Sequence, residues 1–221
     1  GQTRYSTQSP LMLPVAPQTI DLASIERQGK LGDTRFRIRR AGSLDLIGLS
    51  QLGRFLGLQT WSYLYDPEDL EVFLNQCYTA QAIASDLDRG AQCWVAEVQL
   101  PRQTLWHLAA HMKAMPPSLP KVPPGKSIEL KQLYVDRSLH GSGLAHHMMQ
   151  QFFLAAIQQQ ATQWVVSCYS GNHRAMAFYQ QLGAKEIGQY GFVVGRQVDD
   201  ERILAGDLQE GLRLAGQSLT A

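Results

Sequence analysis

The sequence lacks the features that mark membrane, secreted and nucleic-acid-binding proteins. None of its apolar runs approaches the roughly 20 residues that a bilayer-spanning helix needs. The stretch 11–15 is too short, and too close to prolines, to be the core of a signal peptide. The net charge is only +1, which points to neither nucleic acid nor an acidic membrane surface. We therefore expect neither as a partner.

Cysteine is also scarce, because Cys77, Cys93 and Cys168 are the only three. Their odd number and wide spacing fit neither a disulfide framework nor a metal site, and a reducing cytoplasm is the simplest compartment. His107 and His111 have the spacing of a helical zinc pair. However, the glutamate of His-Glu-x-x-His is missing, and a strand there would hold the two rings too far apart. We expect no metal.

What the sequence does have is the composition of a folded globule, with 44% hydrophobic and 18% charged residues. Its 221 residues fit one domain with appendages. We expect a polar, proline-containing N-terminal extension over residues 1–34, with a short helix near 20–27. The main domain is predicted over 35–208 and a C-terminal tail over 209–221.

Local patterns predict a mixture of helices and strands. Alternation over residues 35–39 predicts a strand, whose arginines are expected to face solvent rather than to form a basic patch. Asp66 followed by Pro67 predicts the start of a helix, and the proline-rich residues 115–125 predict a loop. Further helices are predicted near 44–57, 80–89, 144–160 and 173–182, and further strands near 93–99, 104–113, 127–135, 164–169, 184–194 and 202–205. This mixture is typical of an α/β or α+β fold.

Gly141 and Gly143 stand between a predicted strand and a predicted helix. Glycine lets the backbone turn tightly and approach a ligand closely. The following helix directs its free N–H groups, and about half a positive charge, toward this turn. A pyrophosphate would fit such a site, although an ordinary strand-to-helix turn has the same two glycines.

Two motifs give this turn a context. Residues 129–135 (ELKQLYV), then four residues, then 140–145 (HGSGLA) resemble the acetyl-CoA-binding motif Gln/Arg-x-x-Gly-x-Gly/Ala of the GNAT N-acetyltransferase superfamily. Residues 172–184 (NHRAMAFYQQLGA) are similar to its second signature, Asn-x-x-Ala-x-x-Phe/Leu-Tyr-x-x-x-Gly-Phe. The resemblance covers about residues 36–208. The stretch 191–201, with its acidic end, resembles the spermidine/spermine (polyamine) branch.

The resemblance implies an α/β (α+β) fold with a central, mixed, mostly antiparallel twisted sheet. That sheet would have about six or seven strands, a splay at the central strand, and helices on both faces. The implied activity is direct transfer of the acetyl group of acetyl-CoA to a primary amine, in the first instance a small polyamine-like molecule. A peptide or protein N-terminus, and a non-catalytic acetyl-CoA sensor, are the alternatives. The sequence leaves open whether the chain forms a homodimer.

The resemblance also assigns cofactor-binding residues. The backbone of Leu133, Tyr134 and Val135 should pair with the pantetheine arm of the cofactor. The second signature places Asn172 and Ala175 beside the cofactor. The pyrophosphate loop would consist of His140, Gly141, Ser142, Gly143, Leu144 and Ala145. Because His140 stands where Gln or Arg is usual, we expect its backbone N–H, more than its side chain, to contact phosphate.

For the chemistry, Tyr179 matches the general acid of the family, and a buried structural tyrosine is the ordinary alternative. Glu129 matches the strand glutamate that acts as base in some members. A water chain could replace it, a solvent-facing glutamate is the plain alternative, and Asp136 is a weaker candidate. Cys168 is not expected to carry the acetyl group, because no paired base is identifiable.

An aromatic cluster precedes the helix start at Asp66. Trp61, Tyr63 and Tyr65 could form a wall that holds an alkyl amine and attracts its cation, with Trp61 and Tyr65 as the substrate-binding candidates. Ordinary core packing is the alternative.

Overall fold

The computed structural model describes residues 12–120, 122 and 126–220, which contain eight strands and six α-helices. The strands are β1 (Ile25–Leu31), β2 (Thr34–Arg40), β3 (Gln92–Gln99), β4 (His107–Met115), β5 (Ser127–Val135), β6 (Gln163–Tyr169), β7 (Lys185–Val194) and β8 (Gln197–Asp207). The helices are α1 (Leu46–Trp61), α2 (Pro67–Cys77), α3 (Ala80–Asp88), α4 (Leu144–Gln158), α5 (His173–Gln181) and α6 (Leu208–Thr220). The predicted loop 115–125 lies outside the described residues at 121 and 123–125.

All eight strands form one sheet in the order β1-β2-β3-β4-β5-β6-β8-β7. Only β5 and β6 are parallel, and every other neighbouring pair is antiparallel. The predicted mixed, mostly antiparallel sheet is therefore confirmed.

The strand beyond the predicted six or seven is β1, where a short helix was expected near 20–27. That expectation is wrong, because only the three residues Leu22–Ser24 are helical. Gly32 has a φ of 60° and follows β1 directly. It supplies the left-handed conformation that a tight hairpin to β2 favours.

Helices cover both faces of this sheet, as predicted. On one face α4 packs against β5 and β1, and on the other α1 packs against β4 and β5. The first face contains a cluster of fully buried rings, in which Phe153 and Trp164 lie 5.3 Å apart and Phe152 contacts both. Such aromatic side chains bury large areas and dominate core energetics.

The ends of the described chain also pack against this core. In the N-terminal part, Leu13 and Ala16 are buried, and Leu108 N–H donates to the Pro14 carbonyl at 2.8 Å. At the other end, residues 208–220 form α6, which packs on α4 with Gly211 against the ring of Phe153. None of the helices in the described part has the length and apolarity that a bilayer crossing needs.

The arginines of β2 do not all face solvent, so that expectation is wrong. Arg39 is 3% exposed and donates to Glu97 at 2.9 Å and to both oxygens of Asp45 at 2.8 Å. Arg37 donates to the same Glu97, which is fully buried, at 3.0 Å. Because helices cover both faces of the sheet, even the polar side of an alternating strand lies inside and needs buried counter-ions.

Candidate active site

The strands β5 and β6 separate in the middle of the sheet. They pair only from Ser127 opposite Gln163 to Leu130 opposite Val166. Beyond that point β6 remains paired with β8, and β5 remains paired with β4. Lys131 is an extra residue in β5 at the register shift against β4, and such bulges bend a strand. The predicted splay of the central strand is confirmed.

The opened edge of β5 presents backbone N–H groups. Asp136 N–H donates to the Ala109 carbonyl on β4 at 2.9 Å. Because successive N–H groups along a strand point to opposite edges, those of Leu133 and Val135 face the split, and that of Tyr134 faces β4. N–H groups at a strand edge can pair with an extended ligand and polarise a carbonyl oxygen.

The glycine turn follows β5 in the sequence and comes directly before α4. Gly141 and Gly143 have φ values of 79° and 93°, in the left-handed region that favours glycine. Among the described residues, the N–H groups of Gly141, Gly143, Ala145 and His146 have no hydrogen-bond acceptor. The first turn of α4 also contains no acidic residue. The turn and the helix start therefore form a site with the donors and polarity that an anion needs.

Two residues of the loop differ from expectation. The N–H of His140 donates to the Arg137 carbonyl, and that of Ser142 to the Leu139 carbonyl, both at 3.1 Å. The N–H of His140 is therefore not free to contact phosphate, contrary to the expectation from sequence. Its ring Nε2 instead lies 3.0 Å from the carbonyl oxygen of Val135 and ties the loop to the end of β5.

Tyr179 lies on α5 and is buried, with its ring against Trp164. Its hydroxyl has no hydrogen-bond partner among the described residues. Burial raises the pKa of Tyr179, and Cys168 on β6 and Tyr134 on β5 raise it further. Both groups belong to the strands that separate, so the phenol lies within electrostatic reach of the split. It is protonated at neutral pH and can donate a proton there.

The start of α5 is fixed by its own cap. Asn172 Oδ1 accepts a hydrogen bond from Ala175 N–H at 3.2 Å, which is the usual role of an N-cap side chain. These two predicted cofactor residues thus contact each other, and the cap orients the helix that carries Tyr179.

Cys168 remains a thiol rather than a thiolate. Burial raises the pKa of Cys168 to about 12, with a further contribution from Glu201. A thiol with such a pKa is a poor nucleophile at neutral pH, which agrees with the expectation that it does not carry the acetyl group.

The predicted aromatic wall forms on the face of the sheet that α1 covers. Trp61 lies 6.0 Å from Tyr65 and 6.3 Å from Tyr169, and its Nε1 donates to the Tyr134 hydroxyl at 3.1 Å. Tyr63 is exposed. The structure therefore brings both predicted substrate residues together beside β5, at the split.

Acidic residues of β8 lie behind this wall. Asp199 is 2% exposed and accepts a hydrogen bond from the Tyr65 hydroxyl. Glu201 accepts a hydrogen bond of 2.8 Å from Ser167 Oγ on β6. Burial raises the pKa of Glu201, as do Asp199 and Asp200. None of these carboxylates was predicted from the sequence to belong to the site, because the last strand was predicted to begin only at residue 202.

Glu129 lies on the same face of the sheet, before the split. Its side chain is 1% exposed, so Glu129 is not the solvent-facing strand residue that was the alternative to a catalytic base. Its Oε1 accepts hydrogen bonds from Ser118 N–H at 2.8 Å and from Ser118 Oγ at 3.0 Å. Asp136 is also buried, and it accepts a hydrogen bond from Gln59 Nε2 at 3.0 Å.

The two histidines with zinc-like spacing lie on β4, as expected, and have separate surroundings. His107 Nδ1 lies 3.1 Å from the Leu13 carbonyl oxygen, and the His111 ring stacks on Tyr134 at 5.4 Å. In the described part of the chain, no three His, Cys, Asp or Glu side chains are grouped so as to hold a metal ion.

Comparison with known proteins bears directly on this geometry. The sequence model of the family described as "Acetyltransferase (GNAT) family" matches residues 58–184. The fold is similar to that of the PaiA N-acetyltransferase of Thermoplasma acidophilum in complex with coenzyme A, at 14% identity and a TM-score of 0.60, over 78% of this chain and 98% of that chain. It is also similar to the ribosomal-protein-alanine N-acetyltransferase of Brucella melitensis, at 19% identity and a TM-score of 0.55, over 77% of this chain and 98% of that chain. A third similar structure is yncA of Salmonella typhimurium with its cofactor acetyl-CoA, at 16% identity and a TM-score of 0.55, over 78% of this chain and 94% of that chain.

Proposed function

Because the chain belongs to the acetyltransferase (GNAT) family, we propose that it transfers the acetyl group of acetyl-CoA directly to a primary amine of a small, cationic, polyamine-like molecule. The observation that carries the proposal is the split between β5 and β6, which opens the N–H groups of Leu133 and Val135 next to the glycine turn. If the glycine turn were only a connection between β5 and α4, β5 would not need to lose its pairing with β6.

The donors at the split fit the two ends of the cofactor. The free N–H groups of Gly141, Gly143, Ala145 and His146 supply hydrogen bonds and positive helix charge for a pyrophosphate. The N–H groups at the β5 edge supply hydrogen bonds for the extended arm and for the thioester oxygen. No carboxylate in the first turn of α4 opposes the anion.

Tyr179 supplies the proton that the leaving sulfur needs. Its raised pKa keeps the phenol protonated at neutral pH, and proton donation by a positioned side chain typically contributes about 10²–10⁴-fold to a rate. A protein that only senses acetyl-CoA has no use for an unpartnered phenol at this place.

The acceptor side supports a cationic amine. Trp61, Tyr65 and Tyr169 present aromatic rings, which attract cations, and Asp199 and Glu201 add negative charge behind them. A peptide with a single N-terminal amine would use only part of this charge, whereas a polyamine carries several cations.

Measurement of coenzyme A release with acetyl-CoA tests the proposal. The panel comprises spermidine, 1,4-diaminobutane, aminoglycosides, free amino acids and short peptides, with fully N-acetylated spermidine as the control. We expect the fastest release with the unmodified polyamines. Faster release with peptides would favour the N-terminal alternative. Binding of acetyl-CoA without release from any amine would favour the sensor, and absence of binding in calorimetry would contradict the cofactor site.

A further inference from the structure

Glu201 lies at the split on the acceptor face of the sheet. In the strand register it stands opposite Tyr169 on β6 and Tyr190 on β7. Its carboxylate is half-buried and accepts a hydrogen bond of 2.8 Å from Ser167 Oγ. Ser167 is the first residue of β6 beyond the last pair with β5, so this hydrogen bond marks the place where the strands part.

The side chains of Ser167 and Cys168 point to opposite faces of the sheet, because they are consecutive in a strand. Ser167 contacts Glu201 on the acceptor face, whereas Cys168 lies on the face that carries α5 and interacts electrostatically with Tyr179. A carboxylate and a phenol therefore flank the same point of β6 from its two sides.

We propose that Glu201 is the general base that removes a proton from the ammonium group of the acceptor, an inference that rests on the proposed function. Ser167 holds the Glu201 carboxylate at the split. Glu201 stands opposite Tyr169, whose ring lies 6.3 Å from that of Trp61, so the carboxylate and the aromatic rings share the acceptor face. Ser167 Oγ also lies 2.8 Å from the Tyr190 hydroxyl, so the serine is fixed from both sides.

The proton transfers balance. An ammonium ion needs a free lone pair before it can attack, and one of its protons passes to the Glu201 carboxylate. The nitrogen then forms a bond to the thioester carbonyl carbon, and the carbon–sulfur bond breaks with its electron pair on sulfur. Tyr179 protonates the sulfur and regains the second proton that nitrogen loses. The products are an acetamide and a thiol, and Glu201 releases its proton to solvent.

Glu129 is less suited to this task. Its Oε1 already accepts two hydrogen bonds from Ser118, and Lys131 Nζ lies 3.6 Å from its Oε2. It also pairs with β6 before the split, where the strands leave no gap for an acceptor. Among the described residues, Ser167 is the one hydrogen-bond donor to Glu201, which lies where the gap begins.

The surroundings of Glu201 make its carboxylate a stronger base than an exposed one. Burial raises the pKa of Glu201, the hydrogen bond from Ser167 lowers it, and Asp199 and Asp200 raise it. Within the part of the chain that the structure describes, the ionisable groups that interact with it are Asp199 and Asp200 on β8, Lys131 and Tyr134 on β5, Cys168 on β6, Tyr190 on β7, and Tyr65.

The test compares Glu201→Gln and Glu201→Asp with the wild type. The acceptor is spermidine, or whichever amine of the panel above releases coenzyme A fastest. For Glu201→Gln we expect kcat at pH 7 to fall about 10²–10⁴-fold. The KM for the amine should rise by a smaller factor, because one negative charge behind the aromatic rings is lost, and the Kd for acetyl-CoA should stay close to wild type. The loss should shrink steadily toward pH 10, because more of the amine is already free. Glu201→Asp should retain part of the rate.

Two matched variants sharpen the result. Glu186→Gln removes an exposed carboxylate on β7 that pairs with Arg202, and should leave kcat unchanged. Glu129→Gln should lower kcat less than Glu201→Gln does, and the reverse order would overturn the proposal. A wild-type kcat in Glu201→Gln, a change in KM alone, or an equal loss at every pH would overturn it too. Absence of release by the wild type with every amine would overturn the proposed function as well.

Discussion

The indole Nε1 of Trp61 donates a hydrogen bond of 3.1 Å to the hydroxyl of Tyr134. This contact joins the last residue of α1 to the strand whose edge opens at the split. The wall on the acceptor side and the cofactor edge of β5 are therefore one connected structure, and a change at Trp61 should affect the acceptor first.

Trp61→Ala should raise the KM for cationic amines, because it removes the largest ring of the wall. A cation over an aromatic face is worth about 0.5–2 kcal/mol, which corresponds to roughly 2–30-fold. Trp61→Phe keeps a ring but loses the hydrogen bond, and should have a smaller effect. Steady-state kinetics with spermidine, together with calorimetry of acetyl-CoA, measures both. An equal loss of affinity for acetyl-CoA would contradict this assignment.

Tyr179→Phe should lower kcat by about 10²–10⁴-fold, the usual contribution of a positioned acid, because only the hydroxyl is removed. The Kd for acetyl-CoA should stay within about twofold. Tyr78→Phe is the control, since Tyr78 is also a buried tyrosine with a raised pKa but packs against Gly53 of α1 instead of lying on α5. If both variants lose the same activity, the effect comes from packing and not from proton donation.

The parts of the site that contiguous sequence encodes could be predicted. The glycines at 141 and 143, and the signature around Tyr179, depend on local backbone geometry, and the turn before α4 has the expected left-handed glycines. The splay and the helices on both faces followed from the resemblance. These features need no knowledge of which distant residues meet.

The parts that depend on long-range contacts could not be predicted. Ser167 and Glu201 are 34 residues apart and meet only because β8 pairs with β6. Arg39 looked like a solvent-facing residue of an alternating strand, and only the tertiary structure shows that Glu97 and Asp45 enclose it. Alternation shows which residues share a face of a strand, but not what covers that face.

Arg39→Met should destabilise the protein by about 3–5 kcal/mol, because it leaves Glu97 and Asp45 as buried carboxylates without their shared partner. Arg213→Met is the control, since its ion pair with Glu210 is exposed and such pairs contribute little to stability. Urea unfolding followed by circular dichroism gives both free energies. Equal small losses would show that the buried network does not contribute more than a surface pair.

Gly143→Ala should weaken the binding of acetyl-CoA. The residue has a φ of 93° and caps α4, and a Cβ there would lie 3.3 Å from Leu219 Cδ2. An alanine in the left-handed region costs about 1–2 kcal/mol, which the loop can relieve only by turning its free N–H groups away from the anion. Gly90→Ala is the matched control, because its φ is 91° and its Cβ would meet no atom within 4 Å. Both variants should lower the melting temperature, but calorimetry should show a higher Kd for acetyl-CoA only in Gly143→Ala, and an equal Kd in both would argue against a phosphate site at this turn.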